Sequence, residues 1–191
     1  MLKVPRRLKP ILNRINGEAE TRYIVRGLID GSLSALGVVI GASGSADASV
    51  IIAAGLGGGI ANGLSNILGA FTAEKASLER ERIQKEKSLL KKSGYLKKSI
   101  IYQKAIRETM ICGLIDGIST TIGSALPVVP FFIFDIKTAL YVAIGITITI
   151  LFILGVFIGK ISRENVIISG IKMVVGALVV AMLCFLIEGI F

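Results

Sequence analysis

Residues 48–72 and 138–159 contain no charged side chain, and 109–129 contain only Asp116 and no other charge. A run of about 20 apolar residues is what a helix needs to cross the roughly 30 Å hydrocarbon core of a bilayer. Lipid offers no partner to backbone N–H and C=O groups, so runs of this kind fold as helices. The same bias extends over the whole chain. Of its 191 residues, 53% are hydrophobic and only 18% are charged, and the mean hydropathy is +0.76. The expected fold is all-α: a polytopic membrane protein with five transmembrane helices, span 2 extending into a short cytoplasmic helical insert.

The spans are placed at about Tyr23–Ser43, Ala48–Thr72, Thr109–Val129, Lys137–Gly159 and Asn165–Phe191. Four regions follow: a basic N-terminal segment 1–22, spans 1 and 2 over 23–72, an insert over 73–108, and spans 3 to 5 over 109–191. Pro5 and Pro10 disfavour one continuous helix at the start, although a short amphipathic helix after Pro10 fits. The insert opens with AEKASLERERIQKEKSLLKK. These are strong helix formers with close acid–base pairs, so span 2 should run on into the insert and break at Ser93-Gly94. The formal charge of +9 is concentrated at 1–26, 75–107 and 160–163, between the spans. That is the positive-inside pattern, which places the N-terminus and these loops in the cytoplasm. It argues against nucleic acid as a partner and for the lipid bilayer, with attraction to anionic headgroups. The membrane would be the cell membrane in a prokaryote and a vacuole-type membrane in a eukaryote.

Gly-Leu-Ile-Asp-Gly occurs twice, at Gly27–Gly31 and Gly113–Gly117. Each copy lies just inside an apolar run and enters from the cytoplasmic side, so the repeat is parallel, pairing spans 1–2 with spans 3–4. An ionisable residue within a span points to function by default. With about 1.5 Å of rise per residue, Asp30 and Asp116 lie roughly 10 Å below the surface. Asn62 and Asn66 on span 2 and Lys172 on span 5 lie at similar depth. Two carboxylates and two carboxamides in one layer are hard oxygen donors suited to a divalent cation. Other readings stand beside this one. Asp116 and Lys172 could neutralise each other. Arg26, one turn before Asp30, could fold over it. Asn62 and Asn66, four residues apart, could be polar glue between spans.

Glu74, Glu79 and Glu81 on the extension of span 2 could collect cations or form salt bridges with the neighbouring Lys and Arg. Glu188 could be an exit-side carboxylate or an interfacial residue. Gly55, Gly59 and Gly63 on span 2, with Gly27, Gly31, Gly37 and Gly41 on span 1, should let these two spans pack closely or form a subunit interface. Cys112 and Cys184 read as small buried hydrophobes. Histidine is absent, and no phosphate loop, zinc motif or nucleophile–base pair is present, so an enzyme is not expected.

Several of these segments resemble the vacuolar iron transporter family of divalent iron and manganese transporters. GLIDGSLSALGVVIG resembles that family's first helix, and AAGLGGGIANGLSNILGAFTAEKASLERE its second, which runs on into a cytoplasmic metal-binding domain. SALPVVPFF resembles the end of its third, and Gly170 and Gly176 suit its fifth. The resemblance implies a homodimer whose first spans line a cation path on the two-fold axis. It also implies antiport of Fe²⁺ or Mn²⁺ against protons, out of the cytosol, with no permanently bound cofactor. The family aspartate maps to Asp30. Its methionine after Ser is replaced here by Asn66 after Ser65, and its Gly-Glu by Gly69-Ala70. A carboxamide in place of a thioether shifts preference toward harder ions such as Mn²⁺ or Mg²⁺. The alternative is a non-transporting membrane scaffold with structural aspartates, its basic helices holding lipid or a partner.

Overall fold

A computed structural model describes residues 9–45 and 47–190, with side chains from Glu20 onward. Five long helices follow one another: α1 Lys9–Gly41, α2 Ala48–Ser88, α3 Ile100–Val128, α4 Ile136–Ile161 and α5 Val166–Glu188. All five have segments long and apolar enough to cross a membrane. The chain is a multi-pass membrane protein, all-helical over the described residues.

Polar residues in the sequence set the helix starts. The Asp47 carboxylate accepts from the Ser49 N–H at 2.8 Å, and Ser99 Oγ from the Tyr102 N–H at 3.2 Å. Asp135 accepts from the Thr138 N–H at 3.2 Å, and Asn165 from the Ile167 N–H at 3.1 Å. Each satisfies an N–H that the first turn leaves without an intrahelical partner. Asn165 is therefore a cap, not the first residue of the span. Pro10 does not separate a short helix from span 1. It falls in the first turn of α1, where its missing N–H costs nothing. Pro5 lies outside the described residues.

Helix α2 is unbroken for 41 residues, or about 60 Å at 1.5 Å per residue. Only its apolar half, to about Thr72, fits a bilayer, and its charged half projects from the basic end. It stops at Ser88, earlier than Ser93-Gly94, where the chain turns through Leu90 at φ 51°. Gly94, at φ 88°, opens a 3-10 turn over Tyr95–Lys98. The reason lies in Glu86, whose carboxylate accepts from the N–H groups of Gly94 at 2.9 Å and Leu96 at 2.7 Å. That carboxylate folds the connection back on α2.

Glycines dictate how the bundle closes. Apolar helices gain little from burying one another in lipid, so close van der Waals contact must hold them. A Cβ on Gly27 would overlap the Asp116 carbonyl, and one on Gly31 the Thr120 carbonyl. A Cβ on Gly59 would strike Ser124, and one on Gly63 the Gly117 carbonyl. Gly27 and Gly31 of span 1 and Gly55, Gly59 and Gly63 of span 2 thus face α3, whereas Gly37 faces Cys184 on α5 and a Cβ on Gly41 would meet nothing within 4 Å. Helix α1 is central: no side chain from Gly27 to Ile40 is exposed. At the far end Val39, Ile51, Val128, Phe131, Ala139 and Ala143 form an apolar core. The polar side chains gather in the half nearer the basic end.

Candidate metal-ion site

Asp30 is the point of convergence. Asn62 Nδ2 donates to its Oδ2 at 3.0 Å and Asn66 Nδ2 at 2.7 Å. The i, i+4 spacing of the two asparagines puts both on the face of α2 turned toward α1. Two hydroxyls complete the cluster. Ser34 Oγ accepts from Asn62 Nδ2 at 2.9 Å, and Thr120 Oγ1 from Asn66 Nδ2 at 2.9 Å. Ser34 and Thr120 each stand four residues after a Gly-Leu-Ile-Asp-Gly aspartate. Each also donates to that aspartate's main-chain carbonyl, at 2.6 Å for Ser34 and 2.8 Å for Thr120. The repeat therefore positions hydroxyls as well as carboxylates, a periodic signal that attention to the charges passed over.

A cavity of about 540 Å³ leads to this cluster from the basic end. Its lining includes Arg22, Arg26, Asp30, Asn66, Ile158 and Ser162. It spans roughly 16 Å along α1 between Arg22 and Leu33, about one leaflet of hydrocarbon. Asp30 thus lies deep in the span yet faces a passage to the basic side.

The other candidate residues lie elsewhere. Asp116 is wholly buried, and neither carboxylate oxygen accepts a hydrogen bond among the described residues. Its ion pair is with Arg26, at 3.7 Å, and not with Lys172, which is exposed on α5. Arg26 accordingly reaches across to α3 and is not folded over Asp30. Glu74 accepts from the Tyr23 hydroxyl at 3.2 Å, beside the cavity mouth. Glu81 pairs with Lys85 at 3.3 Å. Glu188 accepts from Ser43 Oγ at 3.2 Å at the far end.

Glu79 belongs to a separate network in the projecting hairpin. It takes Arg82 Nε at 2.9 Å and the Tyr102 hydroxyl at 2.8 Å, with Lys97 Nζ at 3.4 Å. Arg82 also pairs with Glu86, and both are almost fully buried. The Arg82 guanidinium, helped by the Tyr102 hydroxyl, holds the Glu79 carboxyl down at about 2. Burial opposes ionisation of Glu86, but the Leu96 and Gly94 N–H groups and Arg82 outweigh it and keep that carboxyl below its usual value of 4.5. Both folded values lie below the unfolded ones. The stabilisation is therefore complete above about pH 4.5 and is lost as pH falls toward 2. Hydrogen exchange at Gly94 and Leu96, corrected for the intrinsic rate, should accelerate as pH falls from about 4.5 toward 2 while the spans stay protected. Unchanged protection would show that these carboxylates do not hold the hairpin.

Among the described residues, no three of His, Cys, Asp and Glu converge in a way that could hold a metal ion. The donors around Asp30 are instead carboxamide and hydroxyl groups, on helices whose order and repeat match a known pattern. The model of the VIT family matches residues 21–104 and again 96–188. The chain belongs to the VIT family. An uncharacterized protein from Methanocaldococcus jannaschii is 90% identical over 191 residues, covering 100% of both chains. The two VIT matches overlap in the hairpin, and each takes in one Gly-Leu-Ile-Asp-Gly copy.

Proposed function

We propose that this VIT-family chain carries divalent metal cations across the membrane, with Asp30, Asn62 and Asn66 as the ion site. The observation that supports this most is a single carboxylate under two carboxamides at the inner end of a cavity leading from the basic side. The amide nitrogens now point at Asp30. Rotation of either amide would present its oxygen instead, giving the hard donors that a divalent cation takes. The basic end faces the cytoplasm by the positive-inside rule. Transport runs out of the cytosol in exchange for protons, since metal and proton compete for the one carboxylate. The exposed face of α2 carries Ala54, Gly57, Gly58, Ala61 and Ser65. Small residues there suit the close approach of a second copy, and so a homodimer.

The cargo is Fe²⁺ or Mn²⁺, with the carboxamide at position 66 favouring the harder Mn²⁺. Purified protein in proteoliposomes should move Mn²⁺ when a proton gradient is imposed, and absence of flux would overturn the proposal. Asn66→Met should raise the ratio of Fe²⁺ to Mn²⁺ flux by about tenfold, because a thioether is the softer ligand. An unchanged ratio would remove Asn66 from the ion's coordination.

A further inference from the structure

Arg26 and Asp30 stand four residues apart on α1 and line the same cavity. An arginine and a carboxylate at that spacing are natural partners. A guanidinium resting on Asp30 would be a permanently tethered cation in the ion site. At millimolar or higher effective concentration, it would outcompete any free ion. In the structure it is somewhere else. Arg26 Nη1 lies 3.7 Å from Asp116 Oδ2 on α3.

Three observations explain that choice. Gly27 and Gly31 bring α1 so near α3 that the Asp116 backbone touches α1. Asp116 is fully buried, and neither carboxylate oxygen accepts a hydrogen bond among the described residues. Burying a carboxylate without donors is costly, so a cation within reach is held strongly in its field. Asp30, by contrast, already accepts two amide hydrogen bonds. The Arg26–Asp116 distance also exceeds the 2.7–2.9 Å or so of a direct charge-assisted hydrogen bond. The Arg26 side chain is 64% exposed, so it has room to swing.

We infer that Asp116 is a positioning residue: it draws the Arg26 guanidinium onto α3 and thereby keeps Asp30 open to a cation. The second copy of Gly-Leu-Ile-Asp-Gly then does a different job from the first. One carboxylate binds the cargo, and the other restrains the resident cation that would displace it. This inference rests on the reading of Asp30 as the ion ligand.

The test is a charge-swap series read in two ways: Mn²⁺ binding by titration calorimetry, and labelling of Asp30 by dicyclohexylcarbodiimide, followed by mass spectrometry. Asp116→Asn should weaken Mn²⁺ binding at least tenfold and suppress labelling, because Arg26 moves onto Asp30. The double variant Arg26→Gln/Asp116→Asn should recover both, and Asp116→Glu should retain both. A merely structural Asp116 would not be rescued by removing an arginine. If Asp116→Asn does not fold, Asp116→Ser carries the same expectation. Loss of fold in both neutral variants, unrelieved by Arg26→Gln, would overturn the inference. So would Asp116→Asn behaving as wild type in both readouts. Labelling that follows the expected pattern in a protein that binds no Mn²⁺ would leave this inference standing and defeat the transport reading. Asp30-dependent Mn²⁺ binding with labelling indifferent to Asp116 would do the reverse.

Discussion

Asp30→Asn is expected to reduce Mn²⁺ flux into proteoliposomes at least about 100-fold, equivalent to roughly 3 kcal/mol, in a protein that remains folded. The substitution keeps the shape of the side chain and one carbonyl oxygen to accept from Asn62 or Asn66. It removes the only formal negative charge among the groups hydrogen-bonded in this cluster: Asn62, Asn66, Ser34 and Thr120 are all neutral. Dipoles alone do not compensate a divalent cation for leaving water, so occupancy should collapse. Asn62→Ala should have a much smaller effect, since a carboxamide and two hydroxyls remain. Flux at the wild-type rate through Asp30→Asn would mean that the ion travels elsewhere.

Gly31→Ala should produce the largest loss of stability of any single methyl added to the bundle. Its Cβ would fall on the Thr120 carbonyl, with the Ser124 backbone close behind. These atoms are helix backbone and cannot rotate away, so α1 and α3 must separate along the line that carries Asp30 on one side and Thr120 on the other. Overpacking of this kind costs about 1–3 kcal/mol where side chains can adjust, and the upper end applies here. Gly41, Gly69 and Gly145 serve as controls, because a Cβ at any of them meets nothing within 4 Å. Alanine there should leave thermal unfolding in detergent unchanged. If Gly31→Ala melted with those controls, the close contact between the two repeat copies would not exist.

The five helices were legible because membrane spans obey one-dimensional rules, although α1 begins at Lys9, well before the apolar run, and Asn165 proves to be a cap. Length and hydropathy mark the runs, and Asp47 stands where a cap is needed. Asn62 and Asn66 were also legible together, since an i, i+4 interval fixes a shared face. What could not be read was which helix lies across from which. Interval logic assigns Arg26 to Asp30, one turn along the same helix, whereas the structure brings it to Asp116 across a contact that only three dimensions define. Depth matched Lys172 with Asp116, but depth says nothing of rotation about the helix axis, and Lys172 faces outward. Gly27, Gly31, Gly55, Gly59 and Gly63 were recognisable as contact surface, yet their common partner, α3, was not. In the hairpin, Glu79 is committed to Arg82 and Tyr102, and Tyr102 lies 23 residues away, beyond any local interval.

The uninterrupted α2 has a consequence for anyone who would exchange the hairpin for the insert of another VIT protein. Asn62 and Asn66 stand on the same rod as Glu79, Arg82 and Glu86, with no break between them to absorb a twist. Adding one residue between Thr72 and Glu79 would turn everything beyond it by about 100° relative to the two amides. Additions of about seven or eleven residues return to within about 20° of the original phase, whereas most other short additions do not. The hairpin is therefore the head of a shaft, not a detachable module. Chimeras should work or fail according to the angular phase of the splice, irrespective of how well the grafted segment folds by itself.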